Sequence, residues 1–377
     1  MSALPPFVRK SLIRALSRPV RASQGKRREV KIAIFKPDRF GDLILASGAI
    51  QYFTKRYGPE SCALLVADFA VELAEKLFPG ALVIGIPHAH NDLLRGVIPN
   101  LWKLRPMLAR YAFEKVICLR HQRSLYEELL LGRLLARESF GLRNTVDYML
   151  PCDVETYVFP LTRSCSYPTD APPASCLELE AHRLTVMAAE NHEVTLEEVL
   201  PRLEIAPAEA NFASAVIVSP FGSSDIRTYP LPLVVEVMRL IQQQSDCRFA
   251  LCGEGKDANR LAELHHLAES AGVREVSIHT PESFLDFARI VAAARGAISV
   301  DTSTAHLATA LDKPAAVIIG GGTYGRVGPW RRSERQIWIT QPVPCFYCLW
   351  DCFQPKPFCI TEVSPATVAQ AMIERLP

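Results

Sequence analysis

From residue 30 onward, short apolar runs alternate with longer stretches in which apolar residues recur every three or four positions. The runs at 30–35, 63–67, 82–86 and 115–119 are nearly continuous, as strands buried on both faces are. Between them, 46–57 and 70–77 carry helical spacing. A second series begins at 215, with runs at 215–219, 248–252, 275–278, 296–300 and 315–319. This alternation predicts parallel βαβ units, an α/β class and a doubly wound sheet in each half. The stretch "PLTRSCSYPTDAPPAS" (160–175) has no period and many Pro, Ser and Thr, so it reads as a loop or linker. A helix over 177–189 follows it. The predicted division is a basic arm at 1–28, an N-terminal domain at 29–205 and a C-terminal domain at 206–377. Two such halves predict a cleft between them, with ligands at the carboxyl ends of the strands.

A chain of 377 residues suits two domains rather than one core. With 49% hydrophobic and 22% charged residues it is globular. The formal net charge of +2 supplies no global basic field, which argues against nucleic acid as a partner. There are eleven Cys, yet the N-terminus has no signal-peptide pattern, so a cytoplasmic location and reduced thiols are expected. No segment reaches the ~18 apolar residues of a membrane span. The first 28 residues hold eight Lys or Arg and no acid. There Val8, Leu12 and Leu16 oppose Lys10, Arg14 and Arg18 at helical spacing. The arm reads either as an amphipathic helix on an anionic membrane surface or as a disordered basic tail.

The turns after the strands carry the chemistry. In "IVSPFGSSDIRTYP" (217–230), Gly222, Ser223, Ser224 and Arg227 offer amides, hydroxyls and a guanidinium suited to phosphate oxygens; an ordinary capped loop would use the same residues. In "ALCGEGKDANRLAEL" (250–264), Glu254 stands where a carboxylate often holds ribose hydroxyls, although Gly253 and Gly255 serve any turn. In "AISVDTSTAHLATALDKP" (297–314), a strand ends at Asp301, and Thr302, Ser303 and Thr304 open a helix with His306 in its first turn. Free amides at a helix start attract anions, and a capping Thr302 or Ser303 would employ the same amides. Together these turns describe a nucleotide-diphosphate site. No P-loop pattern occurs, and G-x-G-x-x-G does not follow the strand at 30. No Asp-x-Asp occurs, so a metal-dependent nucleotide-sugar site is not indicated. In the N-terminal half, "KPDRFGDLILASGAI" (36–50) places Asp38 and Asp42 at a strand-to-helix turn.

"KPDRFGDLILASGAI", "SPFGSSDIRTYP" and "DTSTAHLATALDKP" resemble, in order and spacing, the motifs of glycosyltransferase family 9, the ADP-heptose:lipopolysaccharide heptosyltransferases. The resemblance spans roughly residues 30–377. It implies a GT-B fold of two Rossmann-like domains. It implies an inverting transfer of heptose from ADP-heptose to an acceptor hydroxyl, with no cofactor or metal needed for catalysis. Asp42 is then the general base, while Asp38, beside Arg39, reads as a supporting or bystander carboxylate in a local ion pair or loop hydrogen bond. Arg227 contacts phosphate, and Asp301, Thr302 and Ser303 surround the diphosphate and sugar. The family pattern has Lys at 227, Trp at 229 and Gly at 303, where this chain has Arg, Tyr and Ser. The acceptor is expected to be lipid-linked or glycan, met by segments 87–106 and 120–145. These carry Arg95, Lys103, Arg105, Arg120, Arg123, Arg133 and Arg137. Peripheral contact with the cytoplasmic face of the inner membrane would follow. Rival readings are a protein heptosyltransferase, a GT-B sugar-nucleotide 2-epimerase and a catalytically inactive scaffold.

"CFYCLWDCFQPKPFC" (345–359) packs Cys345, Cys348, Cys352 and Cys359 at a spacing that favours a structural tetrathiolate site for zinc or iron. Cys-rich tails also occur in some relatives of the resembled family, including an iron-binding group that heptosylates proteins. The alternative is reduced thiols packed among Phe346, Tyr347, Trp350 and Phe353. His88, His90, His265 and His266 have no ligand or catalytic partner at a telling spacing.

Overall fold

The computed structural model describes residues 4–20, 27–88, 92–145, 149–208 and 210–377. Arg21 and Lys26 of the basic arm, and His90, lie outside the described residues. The chain divides into two compact units. The first comprises Met1–Arg39, Gly48–Pro168 and Ala181–Val199; the second comprises Phe40–Ser47, Thr169–Glu180 and Leu200–Pro377.

Among the described residues the first unit holds six strands: β1 (Arg28–Lys36), β2 (Cys62–Ala67), β3 (Leu82–Ile86), β4 (Tyr111–Cys118), β5 (Ala136–Leu142) and β6 (Arg163–Cys165). They pair in parallel in the order β3-β2-β1-β4-β5-β6. Phe35 and Val116 are fully buried, as the unbroken apolar runs require. The second unit repeats the plan with β7 (Ala215–Ser219), β8 (Arg248–Cys252), β9 (Val276–His279), β10 (Gly296–Val300), β11 (Ala315–Ile318) and β12 (Gln336–Ile339). Its order is β12-β11-β10-β7-β8-β9, again parallel. Strand order reverses direction between β1 and β4, and between β7 and β10. The turns beyond those carboxyl ends are where ligands bind in such sheets.

Three expectations change. The linker 160–175 contains β6, a three-residue edge strand held by pairing to β5. The segments read as acceptor loops contain the helix Ile98–Arg110, the helix Leu125–Arg133 and β5. The basic arm contains a packed helix, Pro6–Leu16: Ile13 is fully buried, and Leu12 and Leu16 lie against the core of the first unit. Arg9 donates to both carboxylate oxygens of Asp153 at 2.6 Å, and Arg133 donates to the carbonyl of Leu16 at 3.1 Å. The apolar side of this helix therefore covers protein. Among the described residues no helix is long and apolar enough to cross a membrane.

Several expected acceptor cations also have structural partners. Arg123 is 1% exposed and donates to Glu128 at 2.7 Å. Arg120 pairs with Asp38 and with Glu127. Arg95, Lys103 and Arg105 are exposed.

Candidate functional site

The site assembles in the second unit, beyond the carboxyl ends of β7 and β10. After β7, Gly222 passes so close to Arg227 that a Cβ would collide with the arginine side chain and carbonyl. Its N–H donates to Thr228 Oγ1 at 3.2 Å, closing the turn. That fold-back aims Arg227 across to the next turn. Its guanidinium donates to the Asp301 carbonyl at 2.7 Å, to Asp301 Oδ2 at 3.3 Å and to Ser223 Oγ at 3.1 Å. Ser223 and Ser224 are exposed beside it.

After β10, Asp301 is buried and Thr302 precedes the helix Ser303–Ala310. Thr302 Oγ1 donates to the Val300 carbonyl at 3.3 Å and makes no side-chain cap. The first-turn amides are therefore not capped by it, and the helix start keeps its positive end for an anion. Thr304 is buried within that first turn. His306 is buried as well. Its Nδ1 accepts from Trp330 Nε1 at 3.0 Å, which leaves the ring proton on Nε2, 3.6 Å from Asp301 Oδ1. Burial, then Arg227, lowers the pKa of His306 to about 3, so it is a neutral imidazole. Burial raises Asp301 to about 6; Arg227 opposes this and the charge of Asp42 adds to it.

Asp42 reaches this electrostatic neighbourhood because Phe40–Ser47 belongs to the second unit. The helix Phe40–Tyr57 starts with Phe40 stacked on Phe284, ring centroids 4.0 Å apart and planes 8° off parallel. Gly41 then lies against the helix start: a Cβ there would stand 3.0 Å from His306 Cδ2 and 3.5 Å from Ser303 Cα. Asp42 is half-buried in the first helical turn. Asp38 differs in kind. It belongs to the first unit, is buried, and pairs with Lys36 at 3.0 Å and with Arg120. Its partners are those two cations rather than the adjacent Arg39, which is exposed.

Glu254 stands apart. It is exposed after β8, in an ion pair with Lys256 at 2.7 Å. Three contributors escaped the sequence reading. Arg260 brings a second guanidinium to the β7 turn, 3.3 Å from Thr228 Oγ1 and 4.3 Å above the Phe221 ring. Trp330 fixes the His306 tautomer. Trp350 lies under Arg227, 5.1 Å from ring centroid to Cζ.

The tetrathiolate expectation finds no support in the placement of the thiols. Among the described residues no group of three or more His, Cys, Asp or Glu is placed to hold a metal ion. Aromatic packing organises the segment instead. Tyr347 and Leu349 donate their N–H groups to the carbonyls of Gly321 and Gly322 at 2.8 and 3.0 Å. Phe346 and Trp350 lie on Gly320–Gly322, where a Cβ would collide with them. Cys359 is buried in the short helix Phe358–Thr361, where burial pushes its thiol pKa up. Cys345, Cys348 and Cys352 are only half-buried, and all four are free thiols. Tyr347 and Phe353 are 69% and 76% exposed, so a packed aromatic shell around the thiols does not form either.

Two doubly wound parallel sheets with this site beyond β7 and β10 define a GT-B fold. Solved structures agree: E. coli ADP-heptose lipopolysaccharide heptosyltransferase II superposes with a TM-score of 0.66 at 15% identity, over 92% of this chain and 98% of that one. E. coli heptosyltransferase WaaC with ADP gives 0.64 at 16% identity, over 92% of this chain and all of that one. Residues 178–350, which contain the Arg227 and Asp301 turns, match the model of glycosyltransferase family 9 (heptosyltransferase). Lipopolysaccharide heptosyltransferase 1 of Pseudomonas aeruginosa is 30% identical over 115 residues; the match covers 26% of this chain and about a third, 32%, of that protein.

Proposed function

We propose that this chain is an inverting glycosyltransferase that moves a heptose from ADP-heptose to a hydroxyl of a lipopolysaccharide core or related glycan. The observation that carries the reading is the convergence of Arg227, the uncapped helix start at Ser303 and two acidic groups, Asp42 and Asp301, beyond β7 and β10. A guanidinium and a helix N-terminus suit a diphosphate. A half-buried carboxylate beside that anion site suits a general base for the incoming hydroxyl.

Asp42 takes the acceptor proton as the hydroxyl attacks the anomeric carbon, and the bond to the diphosphate breaks. Negative charge on the departing ADP is met by Arg227 and the amides at Ser303, with Arg260 a second cation beside the β7 turn. Asp301 is held by Arg227 where it faces the sugar. Glu254 is the ribose ligand in this reading. The first unit presents the acceptor, and Arg95, Lys103 and Arg105 are its exposed cations for a phosphorylated glycan or lipid. Such an acceptor places the chain at the cytoplasmic face of the inner membrane. The named activities of the similar proteins, all heptosyltransferases, support the donor assignment.

Incubating the purified chain with ADP-heptose, with and without a lipopolysaccharide core acceptor, tests this by ADP release. Acceptor-dependent release is expected. No release with any heptose acceptor would sink the assignment.

A further inference from the structure

We propose that Trp350, on the cysteine-rich segment, is a positioning residue that seats Arg227 for the donor diphosphate. The inference rests on the donor reading above and names how the site's main cation is held.

The first observation is the placement of the guanidinium. Arg227 lies over the Trp350 ring, 5.1 Å from its centroid, while its N–H groups reach Asp301 and Ser223. A planar guanidinium can stack on an indole and donate in its own plane at the same time. An ammonium is a point charge and cannot divide itself in this way. The cation–π contact, made while the N–H groups reach Asp301 and Ser223, therefore gives a reason for arginine at 227.

The second observation is that Trp350 is itself tightly fixed. Its indole N–H donates to Thr323 Oγ1 at 3.3 Å. Its ring rests on Gly320 and Gly322, where a Cβ would come within 2.5 Å of ring atoms. Leu349 and Trp350 both take the left-handed backbone conformation, at φ 52° and 69°. Side chains disfavour that region, and such residues persist where the surroundings hold them. The main-chain bond from Leu349 to Gly322 is one such restraint.

The third observation is topological. Gly320–Gly322 follows β11, the neighbour of β10, so the glycine turn on which the Trp350 ring rests lies along the same sheet edge as Asp301. The cysteine-rich segment thus supplies an aromatic floor to the anion site, a role independent of its thiols.

A double-mutant cycle on the full chain tests this, with ADP as the probe by calorimetry and ADP-heptose in steady-state kinetics. Trp350→Leu should weaken ADP binding about five- to tenfold, in the range of a partly buried cation–π contact. It should raise the donor KM more than it lowers kcat. Trp350→Phe should recover most of the affinity, because the aromatic face remains. Arg227→Lys should lose affinity alone, yet add little in the Trp350→Leu background, because the two changes remove one interaction. Losses that multiply in the double variant, with ADP binding intact in the parent, overturn this inference and leave the donor reading standing. A Trp350→Phe variant as weak as Trp350→Leu overturns it too. A parent chain that binds no ADP overturns the donor reading and this inference together.

Discussion

Asp301 and His306 face each other in a buried setting, and their acidities are displaced in opposite senses. Burial, opposed by Arg227 and reinforced by Asp42, lifts the carboxyl from 3.8 to about 6. Burial, then Arg227, lowers the imidazole from 6.5 to about 3. Between about pH 4 and pH 6 the folded chain keeps a proton on Asp301 and none on His306. The unfolded chain keeps one on the histidine and none on the aspartate. Each state binds one proton, so the pair adds no slope to stability against pH in that window. Asp301→Asn removes the folded-state proton and leaves His306 alone. A base with a depressed pKa stabilises the fold above its unfolded pKa and loses that stability as pH falls. The slope is about 1.4 kcal/mol per pH unit, or about 3 kcal/mol from pH 6 to pH 4. The variant should also exceed the parent by up to about 3 kcal/mol at pH 7.5, where the parent holds a buried carboxylate, and by almost nothing at pH 4. Urea unfolding of both proteins at pH 4, 5, 6 and 7.5 measures this. Parallel stability profiles between pH 4 and pH 6 would refute the paired titration.

Three further outcomes are expected. Asp42→Asn should lower kcat by at least about 10²-fold with ADP affinity little changed, as loss of a general base does; full turnover would remove Asp42 from that role. Gly41→Ala should push the turn off His306 and Ser303 and lower kcat by up to about 10²-fold, with circular dichroism unchanged; wild-type turnover would show that the close approach is not needed. Ile13→Ala should cost about 2–5 kcal/mol in urea unfolding of the first unit, the usual range for an emptied core position, whereas a freely projecting arm would lose nothing.

Much of the sheet framework is legible in the sequence because both faces of the central strands are largely covered, so β1, β2, β7 and β10 contain nearly continuous apolar runs. β5 has two exposed charged residues, Arg137 and Glu138, directly after its first residue, and only residues 139–142 are buried, so its sequence lacks that signature. β6 has three residues and depends on its neighbour. Pro99 and Pro106 interrupt the helical pattern of Ile98–Arg110, although the first falls in the first turn, where proline is tolerated. The turns with Arg227 and Asp301 are readable because each directly follows a strand. Arg260, Trp330 and Trp350 are not, because each acts through a partner 24 to 123 positions away. The thiol spacing suggested a metal, but spacing carries no information about the left-handed turns that hand this segment to its aromatic side chains.

The packed helix Pro6–Leu16 has a consequence for how this chain could sense a bilayer. With Ile13 buried and Leu12 and Leu16 against protein, its outward side carries the exposed Arg14, followed by Arg18, and, of large apolar groups, Phe7. Attraction to acidic headgroups through such charges fades over a Debye length, about 10 Å at 0.1 M salt. Any partition onto a membrane through this face would be set by ionic strength, and salt rather than detergent would govern its release.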